Sequence, residues 1–424
     1  MEQGIDRTLP KLNELSTILQ LLCGFYFFLS FFEAYTSVFT GPITRYLIFI
    51  ISFMFLYSYH GRIRKSIYVF FILLWFLFKL LSIIWSNQSN DDVSRTLLSQ
   101  IGVVLLFVSL CSQLQSRKLL VLFIQVNYWC SLLFGVLTLL FHKSYISDVY
   151  ASRQVLTLFG TQNDPNNCAV FLCIGISIAV YSLVTEKRMK ILSIAVVLIN
   201  SYGVLLSGSR MGFVLLGVIA STVVLIPNTK DKFIIKTFIY KLFIISLVFA
   251  IGRWIINRYL PVASLERMLA FEEYSDGSGR MLKWSLAIEG FKERPVFGWG
   301  WGGYDFVGSV IHNTYLTMLC DVGLVGFLLF IIPLIQLAFY LLKNKCQLGI
   351  LLLVNGLVSG FFLDAINKRF FWNTILIAVL LVEYYEKNDA GLSIWPMKAK
   401  QDDHLPRERK KRMDIVSTAE VYDG

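Results

Sequence analysis

LPVASLERMLAFEEYSDGSGRMLKWSLAIEGFKERPVFGWGWGGYDFVGSVIHNTYLTMLCD, Leu260 to Asp321, is the one long stretch of this chain that cannot lie in a bilayer. Apolar runs near 237–256 and 322–342 flank it, so it reads as an aqueous loop between two membrane spans. Outside it the chain repeats one pattern of apolar segment, short polar loop, apolar segment. The loop holds an arginine at a helix start (Arg280), a Gly/Trp turn (Gly298 to Gly303) and the dipeptide His312-Asn313.

Composition agrees with that division. The 424 residues are 56% hydrophobic and 16% charged, whereas a soluble globular chain carries about 25% charge. The reading is an all-α, polytopic membrane protein, in which every backbone polar group inside the bilayer is paired within helices. Phe, Tyr and Trp are abundant enough for aromatic belts at both interfaces. The first apolar stretch runs on into further spans, so it is an uncleaved anchor. Six cysteines fall within apolar spans and Cys320 sits at a span edge, without metal-ligand spacing, which fits buried thiols. The net charge of +11 is explained by basic loops and the tail residues Arg407 to Arg412 facing anionic lipid, with no nucleic acid implied.

Apolar runs near 17–33, 43–59, 67–85, 97–113, 119–141, 168–184, 190–206, 212–227, 237–256, 322–342, 347–364 and 370–385 predict about 12 spans. Arg62/Arg64/Lys65, Arg117/Lys118, Lys187/Arg188/Lys190, Lys230/Lys232/Lys236 and Lys343/Lys345 fall in every second loop, which places those loops and both termini in the cytoplasm. Lys368-Arg369 is the one basic pair on the wrong side. The organisation is then an N-terminus (1–16), spans 1–9 (17–256), one large outer loop (257–321), spans 10–12 (322–385) and a polar, mobile tail (386–424).

Sorting the loops by side exposes a second signal. Inside loops prefer Lys, but the outside segments carry Arg45, Arg95, Arg153, Arg210, Arg253, Arg258, Arg267, Arg280, Arg294 and Arg369. Orientation needs no outside arginine. Phosphate recognition does, because a planar guanidinium makes two parallel charge-assisted bonds to phosphate oxygens. At least half of these, Arg253, Arg258 and Arg369 first, read instead as interfacial anchors; Lys79 within the third span resembles Arg210 in being costly without an anionic partner, less so because a lysine can snorkel.

Within the loop, Met281, Trp284, Ile288 and Phe291 recur at helical steps from a start capped by Asp276 or Ser278 to a stop at Pro295. Arg280 falls in the first turn, where free N–H groups already favour an anion; a surface ion pair to Glu272 or Glu273 is the alternative. Gly298 to Gly303 contains GxGxxG but follows no strand, so it is a tight turn with close backbone approach, its aromatic faces available to sugar or interface. His312 precedes a span, and a neutral imidazole there can take a proton from a hydroxyl. Gly160 to Asn167 is a turn followed by helix-cap residues, and Ser207 to Gly212 sets Arg210 on small residues at the outer boundary. No carboxylate cluster, Walker motif, GxSxG elbow or HExxH is visible, so the energy must come with the substrate, and no metal or other cofactor is expected.

These pieces, in this order, resemble the O-antigen ligase and polymerase superfamily of bacterial membrane glycosyltransferases. The resemblance rests on Gly160 with Asp164-Pro165-Asn166 and Ala169, on Gly208-Ser209-Arg210-Met211-Gly212, on Arg280 with Trp284, Pro295 and the Gly298/Gly300 turn, and on His312-Asn313-Thr314-Tyr315 with Gly323-Leu324-Val325-Gly326. It implies a metal-independent, GT-C-like helical protein in the inner membrane, working at the periplasmic face. The implied donor is an undecaprenyl-diphosphate-linked oligosaccharide and the acceptor a glycan or lipid A–core, with membrane lipids and a chain-length regulator protein as further partners. It assigns the diphosphate to Arg210, Arg280 and Arg153, supported by Asn166, Gly208 and Ser209, and the base to His312, with Asn313 orienting it. The compact His312 to Tyr315 element leans toward a polymerase over a ligase. A lipid-linked oligosaccharide flippase is the remaining alternative, but neither repeated halves nor a midplane polar cluster is visible.

Overall fold

The computed structural model describes residues 9–58, 66–86, 90–113, 117–146, 153–186, 189–226, 280–303, 310–385 and 392–395, with the backbone alone in 9–16, 90–95 and 112–113. Apart from isolated helical positions, the ninth expected span and the loop before Arg280 lie outside the described residues.

Among the described residues the chain forms α1 (Leu9–Thr40), α2 (Ile43–Ser58), α3 (Ile67–Leu81) with a 3-10 turn (Ser82–Trp85), α4 (Asn90–Gln113), α5 (Arg117–Phe141), β1 (His142–Ser144), β2 (Gln154–Leu158), β3 (Thr161–Gln162) and α6 (Pro165–Thr185). There follow α7 (Lys190–Leu206), α8 (Arg210–Leu225), α9 (Arg280–Glu293), α10 (Thr314–Lys343), α11 (Gln347–Phe362), a second 3-10 turn (Ala365–Asn367) and α12 (Arg369–Tyr385). The protein is all-α and polytopic, and each expected span except the ninth coincides with a helix. The segments Thr17–Thr40, Ile67–Trp85, Arg117–Phe141, Pro165–Thr185 and Thr314–Lys343 are long and apolar enough to cross a bilayer. Ile43–Ser58, Thr96–Cys111, Lys190–Leu206, Arg210–Leu225 and Gln347–Phe362 are shorter apolar helices.

Helix α6 is the central one: 78% of its apolar window is buried, against 33% for α3. Its neighbours approach closely because they are small where they meet it. A Cβ on Gly212 of α8 would lie 2.7 Å from the Cβ of Ala169. Some polar groups inside the bundle bond across helices, which apolar surroundings favour: Asn200 donates to Ser131 Oγ at 2.8 Å, and Asn355 to Ser177 Oγ at 2.6 Å. The seven cysteines are buried, unbridged thiols.

Contacts between remote residues sort the helix ends into two groups. One end of the bundle gathers the ends of α1, α5, α7 and α11 with the starts of α6, α8, α10 and α12, and carries the turns at Gly160 and Gly208 and the His312 segment; it is called the loop end below. Arg117 and Glu186 lie at the other end, against residues 392–395.

Several local expectations change in three dimensions. Between α5 and α6 the described residues include an antiparallel sheet of β1, β2 and β3, with His142 opposite Leu156 and Thr157 opposite Gln162. Span ten begins at Thr314 and is broken at Gly323 (φ 61°). The start of the tail is docked. Leu392, Ile394 and Trp395 are buried, Trp395 donates to Ser182 Oγ at 2.9 Å and packs on Tyr128 and Trp129, and Glu186 accepts from the Ile394 N–H.

Arg369, read as an interfacial anchor, is paired instead, and Lys79 has the anionic partner that its place in a span calls for. Arg369 bonds Glu33 of α1, which also accepts from Thr44. Lys79 is buried, 3.7 Å from Asp321 Oδ2 and 4.6 Å from the centre of the Trp301 ring. A lysine this far from water is tolerable only with such partners.

Candidate active site

The loop end is built on three helix starts. Asp164 caps α6, accepting from the N–H groups of Asn166 at 2.8 Å and Asn167 at 3.3 Å, and Pro165 takes the first helical position, where no N–H is needed. Ser209 caps α8 through the Gly212 N–H, made possible by Gly208 in the left-handed region (φ 56°). Asn313 caps α10, accepting from Tyr315 and Leu316. Helix starts point partial positive charge and N–H groups outward, so their convergence favours an anion.

Asn166 joins the first two. Its Oδ1 accepts from Ser209 Oγ at 2.8 Å and from the Arg153 guanidinium at 3.1 Å, and Arg153 Nε donates to the Ser207 carbonyl at 3.3 Å. Arg153 leads into β2, so the small sheet carries its guanidinium to the α7–α8 turn. Arg210 follows Ser209 directly as the first residue of α8, half-buried. Arg153, Asn166 and Ser209 therefore share one polar cluster, with Gly208 and Arg210 as the chain neighbours of Ser209.

The second cluster is on α9 and the start of α10. The face of α9 turned to the protein is Trp284, Ala287, Gly290 and Phe291; Met281 and Ile288, expected on it, are exposed. The shift follows from close approach: Cys320 Sγ donates to the Ala287 carbonyl at 3.1 Å, which a large side chain at 287 would prevent. Trp284 Nε1 donates to the Ile311 carbonyl at 3.1 Å, beside His312.

The Gly/Trp turn fixes this arrangement. It fills the break in α10, where Trp299 N–H donates to the Cys320 carbonyl at 2.7 Å and Gly300 N–H to the Asp321 carbonyl at 2.8 Å. In return the Leu324 N–H reaches the Pro295 carbonyl at 2.8 Å. Both indoles are tied to the protein: Trp301 is buried and donates to Thr96, and the half-buried Trp299 donates to the Gly290 carbonyl beneath the Arg294 guanidinium.

His312 has φ 57°, an uncommon backbone for a residue with a side chain. Burial first, then the positive charges of Arg280 and Lys283, hold its imidazole below the usual range; Asp164 opposes this and Lys368 adds to it. Those influences place His312 within electrostatic reach of α9 and of the residue that caps α6. Asp164 is thus shared by both clusters, and the residues singled out from sequence gather at one end of the bundle. Asn313 spends its amide oxygen on the helix cap, which fixes the backbone directly after His312. Glu272 and Glu273, the alternative partners of Arg280, lie outside the described residues.

Sequence reading missed Lys283 and Lys368 as neighbours of His312, and Asp364. The Thr314 N–H and hydroxyl both bond the Leu363 carbonyl, and the Thr314 hydroxyl accepts from Ala365 N–H, which brings Asp364 to the loop end. Burial raises the Asp364 carboxyl, with Lys79 and Lys368 acting the other way. The polar run Asp364 to Arg369 between two apolar spans was the available signal.

Residues 195–331 match the family model described as O-antigen ligase. The match includes Gly208, Ser209, Arg210, Arg280, His312 and Asn313, and leaves Arg153 and Asn166 outside it. No curated protein matches the chain. Over residues 195–331 the chain is therefore similar to the O-antigen ligase family, a likeness with which its helical, multi-span architecture accords.

Proposed function

We propose that the chain is an inner-membrane polymerase of O-antigen or a related surface polysaccharide, transferring glycan from undecaprenyl diphosphate at the periplasmic face. Arg280 and Arg210, helped by Arg153, bind the diphosphate and stabilise the charge that develops as it leaves. Asn166 and Ser209 hold Arg153 and the α8 start in register. His312 takes the proton of the acceptor hydroxyl, whose oxygen attacks the anomeric carbon from the face opposite the diphosphate. The C–O bond to diphosphate breaks and the configuration inverts. No metal enters this scheme. The observation that carries the reading is the nearness of the neutral-leaning His312 to the Arg280 helix and the capped start of α6.

Arg280→Ala and His312→Ala should each abolish glycan extension while the protein stays at its normal membrane level. Retained extension in both variants refutes the site. The description of the matching family favours a second reading, a ligase that moves the finished chain to lipid A–core. Gene deletion separates the two: single-repeat product on the core marks a lost polymerase, bare core with lipid-linked polymer a lost ligase.

A further inference from the structure

The indole of Trp284 joins two functional parts that are 32 residues apart in the chain, Arg280 and His312. Trp284 stands one helical turn after Arg280, so both occupy neighbouring positions on one side of α9. Its N–H bonds the Ile311 carbonyl at 3.1 Å. That carbonyl belongs to the peptide that ends in the His312 nitrogen, so holding it fixes the plane from which φ of His312 is measured. The plane needs holding, because a left-handed φ is unfavourable for a residue with a side chain. The other side is held as well: Ile311 is fully buried against Ala287 and Cys320, and Asn313 is locked in the α10 cap.

We propose that Trp284 is a positioning residue whose bond to Ile311 holds His312 in its left-handed conformation and couples it to the helix that begins with Arg280. The groups facing His312 are Arg280 and Lys283 from α9, Asp164 from the cap of α6 and Lys368 ahead of α12. With the bond cut, the imidazole leaves the cationic face of α9 and turns toward water. Its use in transfer rests on the proposed function, whereas the coupling itself does not.

The test reads His312 directly, in the full-length protein reconstituted in nanodiscs with His60, His142 and His404 replaced by Gln. The rate of carbethoxylation by diethyl pyrocarbonate is followed against pH, since only neutral imidazole reacts. In the parent the midpoint should lie below 6.5. Trp284→Phe keeps an aromatic ring and removes the donor, and should raise the midpoint by about half a pH unit. Arg280→Gln should raise it too, and Cys320→Ala, which loosens the same helix pair without touching the indole bond, should leave it in place.

An unmoved midpoint in W284F or in R280Q overturns the proposal, as does a C320A shift as large as that of W284F. Should W284F fail to accumulate, the R280Q midpoint decides alone. Glycan transfer supplies a separate arm, in which W284F lowers turnover roughly tenfold or more with the donor KM unchanged. A moved midpoint with unchanged turnover overturns the role in transfer and leaves the coupling standing. A chain that transfers no glycan at all still gives the midpoint result, so the two failures are distinguishable.

Discussion

Gly298→Ala tests the join between the loop and α10. Gly298 has φ 69°, and a Cβ there would lie 2.6 Å from the carbonyl oxygens of Cys320 and Asp321 and from the Gly323 N. The left-handed conformation alone costs a non-glycine residue roughly 1–2 kcal/mol. Relieving the contacts requires the turn to retreat by several tenths of an ångström, and all three obstacles are backbone. That retreat stretches the bonds from Trp299 N–H to Cys320 and from Gly300 N–H to Asp321, now 2.7 and 2.8 Å. Each buried bond lost adds about 1–3 kcal/mol, so with both bonds lost the total is about 3–8 kcal/mol. The assay is thermal unfolding of the purified protein in detergent, followed by intrinsic fluorescence, together with its level in membranes. Gly217→Ala is the matched control, because nothing lies within 4 Å of a Cβ there; in a helix Ala is favoured over Gly by about 1 kcal/mol. The midpoint of G298A should fall by roughly 5 °C or more, with G217A level or higher. Equal midpoints for G298A and the parent would refute the plugged-break account of α10.

Three further outcomes follow. The rate of glycan transfer should stay level as pH drops from neutral and fall only below about 6.5, because burial and two cations lower the His312 pKa and so keep the base neutral there; a rate already halved at pH 7 would contradict that. Lys79→Met should destabilise the protein by about 3–5 kcal/mol by leaving Asp321 buried without its cation, and Lys79→Met with Asp321→Asn should recover most of the loss; equal unfolding midpoints for the single and double variants would count against the pair. Trp395→Ala should cost about 3–5 kcal/mol and open the segment after Tyr385 to proteolysis, whereas parent-like protease resistance would show that the docked segment is dispensable.

The alternation of apolar run and basic loop was legible because a span must be long, apolar and internally bonded wherever it packs. Motif chemistry was equally local: Asp164-Pro165, Ser209 and Asn313 cap helices through bonds to residues two or three positions away, and they do so in the structure. Sequence did not disclose partners for groups whose burial depends on remote helices. Arg369 looked like an anchor reaching for the interface, and Lys79 like a cation in want of an anion that sequence could not name; each faces a carboxylate hundreds of residues away, Glu33 and Asp321. Residues 392–395 looked like the start of a free tail because their polar neighbours say nothing of the groove between α5 and α6 that receives them.

By itself, then, the sequence determined that this is a multi-span helical membrane protein whose polar chemistry is concentrated near a few outer turns, since length, hydropathy and capping are properties of contiguous residues. Only the tertiary structure decided that Arg153, Asn166 and Ser209 form one cluster, that Trp284 ties the Arg280 helix to His312, and that the tryptophans of the glycine turn are tied to the protein. The reason is physical: hydrogen bonds across tens to hundreds of residues depend on how helices cross. That crossing is set by packing at positions such as Gly212 and Ala287, which no local pattern announces.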